Sequence, residues 1–266
     1  MFRISQRFKF AVLLAACLGI SVTANADDSS PPWSQADAYW GADAMAAARR
    51  AVQSGSGATP QLFLMADRFE GRFSGGDEVV LWDAQGWYGY DINKLWVKSE
   101  GEWLVGEGVE DAELQALWSR AISSFWDVQA GIRFDAKPDT RFHAVIGMQG
   151  LARQWLEIDA AAFLSDKGDL TTRIEAEYEL HLTQRLILQP RAEFELSTRD
   201  IPERDVGAWA PSINLGARLR YELIREIAPY VGVEWQKAFG ETGTRIEAAG
   251  GDDDAPVFVL GIRSWF

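Results

Sequence analysis

Histidine occurs twice in this 266-residue chain, and each copy sits in a run whose residue types alternate. Through Arg173 to Leu182, Ile174, Ala176, Tyr178, Leu180 and Leu182 fall on one face of an extended strand. Arg173, Glu175, Glu177, Glu179 and His181 fall on the other, because side chains of a strand point to opposite faces at period two. His181 with Glu177 and Glu179 is a set that can hold a borderline divalent cation weakly and exchangeably, since one imidazole and no thiolate are at hand. The competing reading is a space-filling charge ladder of His181 with Arg185 and Arg191. His143 shares the less hydrophobic face of its run with Val145, Gly147 and Gln149, while Met148 goes to the opposite face with Phe142, Ala144 and Ile146. Met65 lies on a face with Phe63, Asp67 and Phe69 and adds a thioether. The candidate metal ligands are therefore His181, His143, Glu177, Glu179 and Met65.

Catalysis has no comparable footing. No Ser-His-Asp arrangement, nucleotide loop or H-E-x-x-H occurs, and neither histidine has a serine beside it in a recognisable motif. Gly55-Ser56-Gly57 and Gly106-Glu107-Gly108 do not sit as phosphate loops between a strand and a helix. The expectation is no enzyme, no catalytic residue and no cofactor-binding residue.

Positioning these side chains falls to a long series of alternating strands. Trp126, Val128, Ala130, Ile132 and Phe134 oppose Asp127, Gln129, Gly131, Arg133 and Asp135. Leu188, Pro190, Ala192, Phe194 and Leu196 oppose Gln189, Arg191, Glu193 and Glu195. Leu215 to Leu223 repeats the pattern with Arg218, Arg220 and Glu222 on the polar side. Each run has the length needed to cross a bilayer when tilted. The spacing predicts strands near 61–70, 82–91, 94–104, 112–121, 125–135, 141–151, 154–165, 171–182, 186–197, 212–223, 228–238 and 256–266. Tight joints alternate with wider ones, notably 198–211 and 239–255, as periplasmic turns and extracellular loops do in transmembrane barrels. An even count of about twelve places both termini on the periplasmic side. With polar faces turned inward, Glu175, Glu177, Glu179, Glu193, Glu195, Asp127, Asp135, Glu157 and Asp159 predict an acidic interior. Its roles would be to attract cations or to form internal salt bridges.

The chain ends accord with this. Arg3, Arg7 and Lys9 precede an apolar run from Phe10 to Val22, then Ala24-Asn25-Ala26, which reads as a secretory signal peptide of residues 1–26 cleaved after Ala26. The competing reading is a lipoprotein box at Leu14 to Cys17. Cys17 is the sole cysteine, so cleavage after Ala26 leaves no disulfide or thiolate site. Residues 27–60 read as a periplasmic extension or plug, with a helix at Ala36–Val52 and a linker at Ser54–Pro60. At the other end, Phe258, Leu260, Ile262 and the terminal Phe266 share one face, opposite Val259, Gly261 and Arg263. This resembles the C-terminal strand by which outer-membrane barrels are recognised for assembly, with Ser264 departing from the pattern. The alternative is an edge strand of a soluble sandwich.

Composition points the same way. The formal charge is −13, and removing Arg3, Arg7 and Lys9 makes the mature chain more acidic still, which argues against nucleic acid as a partner. The 12 Trp and 14 Phe suit membrane interfaces, where amphipathic rings sit at headgroup depth. A mean hydropathy of −0.14 decides nothing, since barrels hide their apolar surface by alternation. The fold class expected is all-β, a single transmembrane antiparallel up-and-down barrel spanning 61–266.

Longer blocks carry a family likeness. Phe63 to Glu70, Lys94 to Glu102, Glu113 to Arg120, Ile174 to Glu179, Leu182 to Arg191, Leu219 to Glu222 and Ile227 to Trp235 resemble the bacterial copper resistance protein B family over residues 61 to 266. The resemblance implies an outer-membrane protein of copper homeostasis, with copper ions as the bound or transported species and membrane lipid around it. Members often carry a Met- and His-rich segment ahead of the barrel, suited to copper. Here residues 27–60 hold Met45 and no histidine, so that store is missing or belongs to a separate periplasmic copper-binding protein. The alternative is a structural or general-diffusion barrel without metal specificity.

Overall fold

A computed structural model describes residues 31, 33–52, 54–55, 59–74, 77–248 and 254–266. The expected signal peptide, residues 56–58 of the expected linker, and Asp252 and Asp253 lie outside these. The chain divides into two compact units at Ala58/Thr59, and each is described by itself.

In the amino-terminal unit the single helix expected over Ala36–Val52 is two, α1 (Asp37–Trp40) and α2 (Ala42–Val52). The break falls at Gly41, whose φ of 83° is a left-handed conformation that glycine adopts without steric cost. Arg49 in the last turns of α2 pairs with Asp37 at 2.7 Å and covers the Trp33 ring at 4.5 Å.

The second unit is a closed antiparallel β-barrel. Its strands are β1 (Gln61–Ser74), β2 (Asp77–Gly89), β3 (Asn93–Leu104), β4 (Gly108–Ala121), β5 (Trp126–Lys137) and β6 (Arg141–Leu151). They continue as β7 (Glu157–Ser165), β8 (Leu170–Glu177), β9 (Leu180–His181), β10 (Leu186–Ser197), β11 (Ser212–Tyr221), β12 (Ile227–Ala238) and β13 (Asp254–Trp265). Neighbours in sequence pair in order, and β13 returns to β1, with Met65 opposite Trp265 and Phe73 opposite Phe258. Leu64 and Phe266 exchange both backbone hydrogen bonds, 2.9 and 2.8 Å, so the last residue is part of the closure.

β8 and β9 both pair with β10 and count as one wall strand, which makes twelve. The interruption has a local cause. Tyr178 N–H donates to the Pro190 carbonyl at 3.1 Å, but proline has no N–H to return the bond, so the ladder loses a rung.

The barrel is inverted relative to a soluble protein. Ile132 is 59% exposed on the outside and Gln129 3% exposed inside. Phe142, Ile146, Val231, Phe258 and Leu260 also stand outward. Tyr88, Tyr90, Trp118 and Tyr221 ring the end where the chain enters and leaves, and Phe73, Trp103, Phe142 and Trp235 the opposite end. An apolar sheath with aromatic girdles is the surface that a bilayer requires. Inside, Trp96, Leu117, Val145 and Phe163 form a small apolar core on one wall, and polar residues fill the rest.

Three expectations are corrected. Between β1 and β2 the strands extend to Ser74 and Asp77, so residues 71–74 and 77–81 of the gap expected over 71–81 are strand. Short and long connections do not alternate throughout: among the described elements nine connections are two to five residues long, and only 198–211 and 239–253 are long, the latter containing the unforeseen helix α3 (Gly240–Ala248). A bulge between Ala66 and Arg68 shifts the register of β1 against both neighbours. It turns Arg68, Glu70 and Arg72 inward and Phe69 outward, so Phe69 does not share a face with Met65 and Asp67.

These faces predict that Ile132→Arg costs about 2–4 kcal/mol of folding stability in a bilayer. Gln129→Glu, facing the lumen, should fold with near-parental yield. Heat-modifiable gel mobility after refolding into vesicles measures both, and equal losses would contradict the assignment.

Candidate functional site

The interior is crossed by a chain of alternating charge. Asp83 on β2 accepts from Arg68 on β1 (3.0 Å), which also reaches Glu100 on β3 (2.7 Å). Glu100 accepts from Arg173 on β8 (3.0 Å), five strands around the wall and so across the lumen. Arg173 lies 3.4 Å from Glu113 on β4, which pairs with Arg133 on β5 at 2.7 Å. Arg133 then holds Asp135 at 2.6 Å, and Asp135 accepts from Arg204 of the β10–β11 connection at 2.5 Å.

A second cluster ties the closing strands. Arg218 on β11 makes a two-pronged contact with fully buried Glu70 (3.0 and 2.9 Å), and Tyr230 donates to the same carboxylate at 2.9 Å. Glu234 bridges Arg218 (2.9 Å) and Arg72 (2.6 Å). Gly261 on β13 makes room for this group: a Cβ there would stand 2.6 Å from the Tyr230 hydroxyl and 2.7 Å from Glu70 Cβ.

Phe163 and Arg173 line two cavities, one on each side of them. The cavity toward the chain termini, about 90 Å³, is lined by eight carboxylates and three cations, Lys98, Arg173 and Arg263. The other, about 360 Å³, lies toward the long connections and is lined by Arg133, Arg141, His143 and Arg204 among others. At that end, in the β5–β6 connection, hydrogen bonds from Lys167 and then Arg141 hold the Asp139 carboxyl below the usual carboxylate range.

The candidate ligands are spread out. His181 is exposed at the terminal end, opposite Ile187 in register, with no side-chain hydrogen bond or ion pair among the described residues. It takes no part in a ladder with Arg185 and Arg191; Arg191 pairs instead with Glu175 (2.5 Å) and Glu193 (3.3 Å). Glu177 accepts from Gln189, and Glu179 from Arg220 (2.7 Å) and Arg263 (2.9 Å). Met65 Sδ lies 3.5 Å from Arg263, which pairs with Asp67 at 2.8 Å. His143 is buried in the other cavity, and its Nδ1 has no hydrogen-bond partner. Among the described residues no three His, Cys, Asp or Glu side chains gather in a group able to hold a metal ion.

The arginines are what sequence reasoning undervalued. Arg133, Arg173, Arg191, Arg218 and Arg220 were visible on polar faces, yet nothing in a single strand tells which carboxylate of a distant strand each one meets. Arg68 was hidden by the bulge, and Arg204 by lying in a connection without periodicity.

A closed ring of strands with an apolar sheath and a salt-bridged interior defines a membrane barrel of the outer-membrane type. The sequence profile described as Copper resistance protein B precursor (CopB) matches residues 61–266, and the chain belongs to that family. It is 40% identical over 205 residues to a copper resistance protein B homolog of Pseudomonas syringae pv. tomato (strain ATCC BAA-871 / DC3000), covering 77% of this chain and 69% of the relative. It is 39% identical over 204 residues to copper resistance protein B of Escherichia coli, covering 76% and 69%. Among solved structures the NanC porin superposes with a TM-score of 0.52 at 14% identity, over 77% of this chain and 99% of that one, a likeness of fold.

The seam cluster predicts that Arg218→Met, which leaves Glu70 buried without its cation, costs about 3–5 kcal/mol. Urea unfolding of the vesicle-refolded barrel reads this, and an unchanged midpoint would remove the pair from the stability of the closure.

Proposed function

We propose that this is a non-enzymatic outer-membrane protein of copper resistance, with its termini on the periplasmic side, that binds and passes copper ions along its charged lumen. Family membership carries the copper assignment. The excess of carboxylates in the terminal cavity, eight against three cations, supports the route, since a net excess of one sign in a narrow, low-dielectric space concentrates ions of the other. On this reading His181, Glu177, Glu179 and Met65 serve the mouth of that cavity as weak, exchangeable contacts and His143 serves the far cavity. The signal peptide is cleaved after Ala26, residues 27–60 form a periplasmic extension or plug, and a separate periplasmic protein supplies the copper store that this extension lacks.

The general-diffusion alternative meets an obstacle in the Arg173 crosslink. A pore for unselected solutes needs an unobstructed aqueous path, whereas here guanidinium and carboxylates meet across the lumen. An ion can exchange places with a guanidinium at a carboxylate; a neutral sugar cannot.

A deletion strain should lose copper tolerance while keeping its tolerance of zinc. His181→Ala should reduce copper tolerance at parental barrel levels, and Met148→Leu on the lipid face should change nothing. Equal growth of deletion and parent at every copper concentration would overturn the copper reading in favour of the diffusion barrel.

A further inference from the structure

The larger cavity is roofed by the two long connections, and both are tied down. In the β10–β11 connection Ile201 and Val206 bridge across a tight turn at Pro202–Arg204, and Ile201 is buried. Gly207 N–H donates to Thr242 Oγ1 of α3 at 3.0 Å, and that hydroxyl donates to the Ala210 carbonyl at 3.0 Å, so the connections hold each other. Two ion pairs then fasten this roof to the wall: Arg204 to Asp135 (2.5 Å) and Glu203 to Arg141 (2.9 Å).

Under the roof one side chain lacks what burial demands. His143 is 7% exposed, and its Nδ1 has no hydrogen-bond partner. An unmet buried donor or acceptor loses the hydrogen bond it had with water and gains none in return. Facing it are Arg133 and Asp135 from β5, Arg141 from its own strand, Phe163 and Ser165 from β7, and Arg204 from the roof. Its nearest carboxylate oxygen is Asp135 Oδ2, at 3.6 Å. That is too long for a hydrogen bond. It suits two donors sharing one cation, since ligand atoms roughly 2.0–2.2 Å from a metal stand about 3–4 Å apart over ordinary coordination angles.

Asp135 Oδ2 is also the oxygen that receives Arg204 Nη2 at 2.5 Å and, at a longer 3.3 Å, Arg133 Nη2, whose Nε keeps the other carboxylate oxygen at 2.6 Å. A cation and the roof therefore compete for one atom. Arg204 is a poorly satisfied occupant, because its own Nε is buried without a partner, so leaving the carboxylate for water restores a hydrogen bond.

We infer that His143 Nδ1 and Asp135 Oδ2 form a two-ligand site for an imidazole-preferring divalent cation, Cu(II) being the intended one, and that filling it releases Arg204 and loosens the roof. With water completing the coordination and an arginine to displace, the site is weak and exchangeable. The identity of the ion rests on the copper reading above; the geometry of the site and its coupling to the roof do not.

The test uses the full mature chain purified in detergent and titrated with copper(II) chloride. The chain has only two histidines, so nitrogen hyperfine coupling in the electron paramagnetic resonance spectrum identifies the imidazole. Coupling should persist in His181→Ala and vanish in the His143→Ala/His181→Ala double variant, and Arg204→Gln, which removes the competitor, should tighten binding about tenfold. Copper should also speed tryptic cleavage after Arg204 in the parent protein severalfold, and not in His143→Ala. Coupling lost in His181→Ala alone, coupling retained in the double variant, affinity unchanged or weakened in Arg204→Gln, or copper-independent cleavage would each overturn the inference. Copper tolerance lost in the deletion strain without this coupling would leave the functional reading standing and remove this site. Coupling with no copper phenotype would do the reverse.

Discussion

Arginine meeting carboxylate across the lumen is the constraint on which the rest of this barrel depends. Each guanidinium taken from water must recover its hydration from protein oxygens, and a single carboxylate cannot supply that. Arg173 therefore draws on Glu100, Glu113 and Glu195, and Arg68 on Asp83 and Glu100, so that carboxylates are shared and the pairs merge into a chain. Sharing fixes the relative heights of strands that are not neighbours, which backbone ladders alone do not do. It also divides the interior into two compartments.

The outer surface follows a simpler rule. Lipid contact asks for apolar side chains and a closed ladder, and both can be met by alternation and by pairing the last strand with the first. Residues on that side answer to the solvent rather than to one another. Inside, each charge answers to a particular partner, often dozens of residues away: Glu70 and Arg218 are 148 positions apart.

This difference decides how far the sequence could be read. Strand existence, count and faces were legible in runs such as Trp126–Asp135, because period-two alternation is a local signal; Ile132 stands outward and Arg133 and Asp135 inward as alternation requires. The bulge at Ala66–Arg68 was not legible, since one inserted residue reverses a face without changing residue types. The His181–Glu177–Glu179 grouping was drawn from one strand, whereas Glu179 is held by Arg220 and Arg263 from two others. His143 was visible as inward-facing, but its proximity to Arg204 depends on how a fourteen-residue connection folds back, for which a pattern of residue types carries no signal.

The missing rung at Pro190 has a mechanical consequence. In a cylinder held by hydrogen bonds, circumferential tension passes through every rung, and a gap between two wall segments is where the cylinder yields first. The gap lies just above the terminal mouth, between Glu177 and Leu180, so Glu179 sits at the interruption of the wall ladder. Its carboxylate can follow Arg220 on one side and Arg263 on the other without breaking any ladder that closes the barrel. Through Arg263, which lies on β13 and also holds Asp67 on β1, charge at the mouth is coupled to the seam that closes the cylinder.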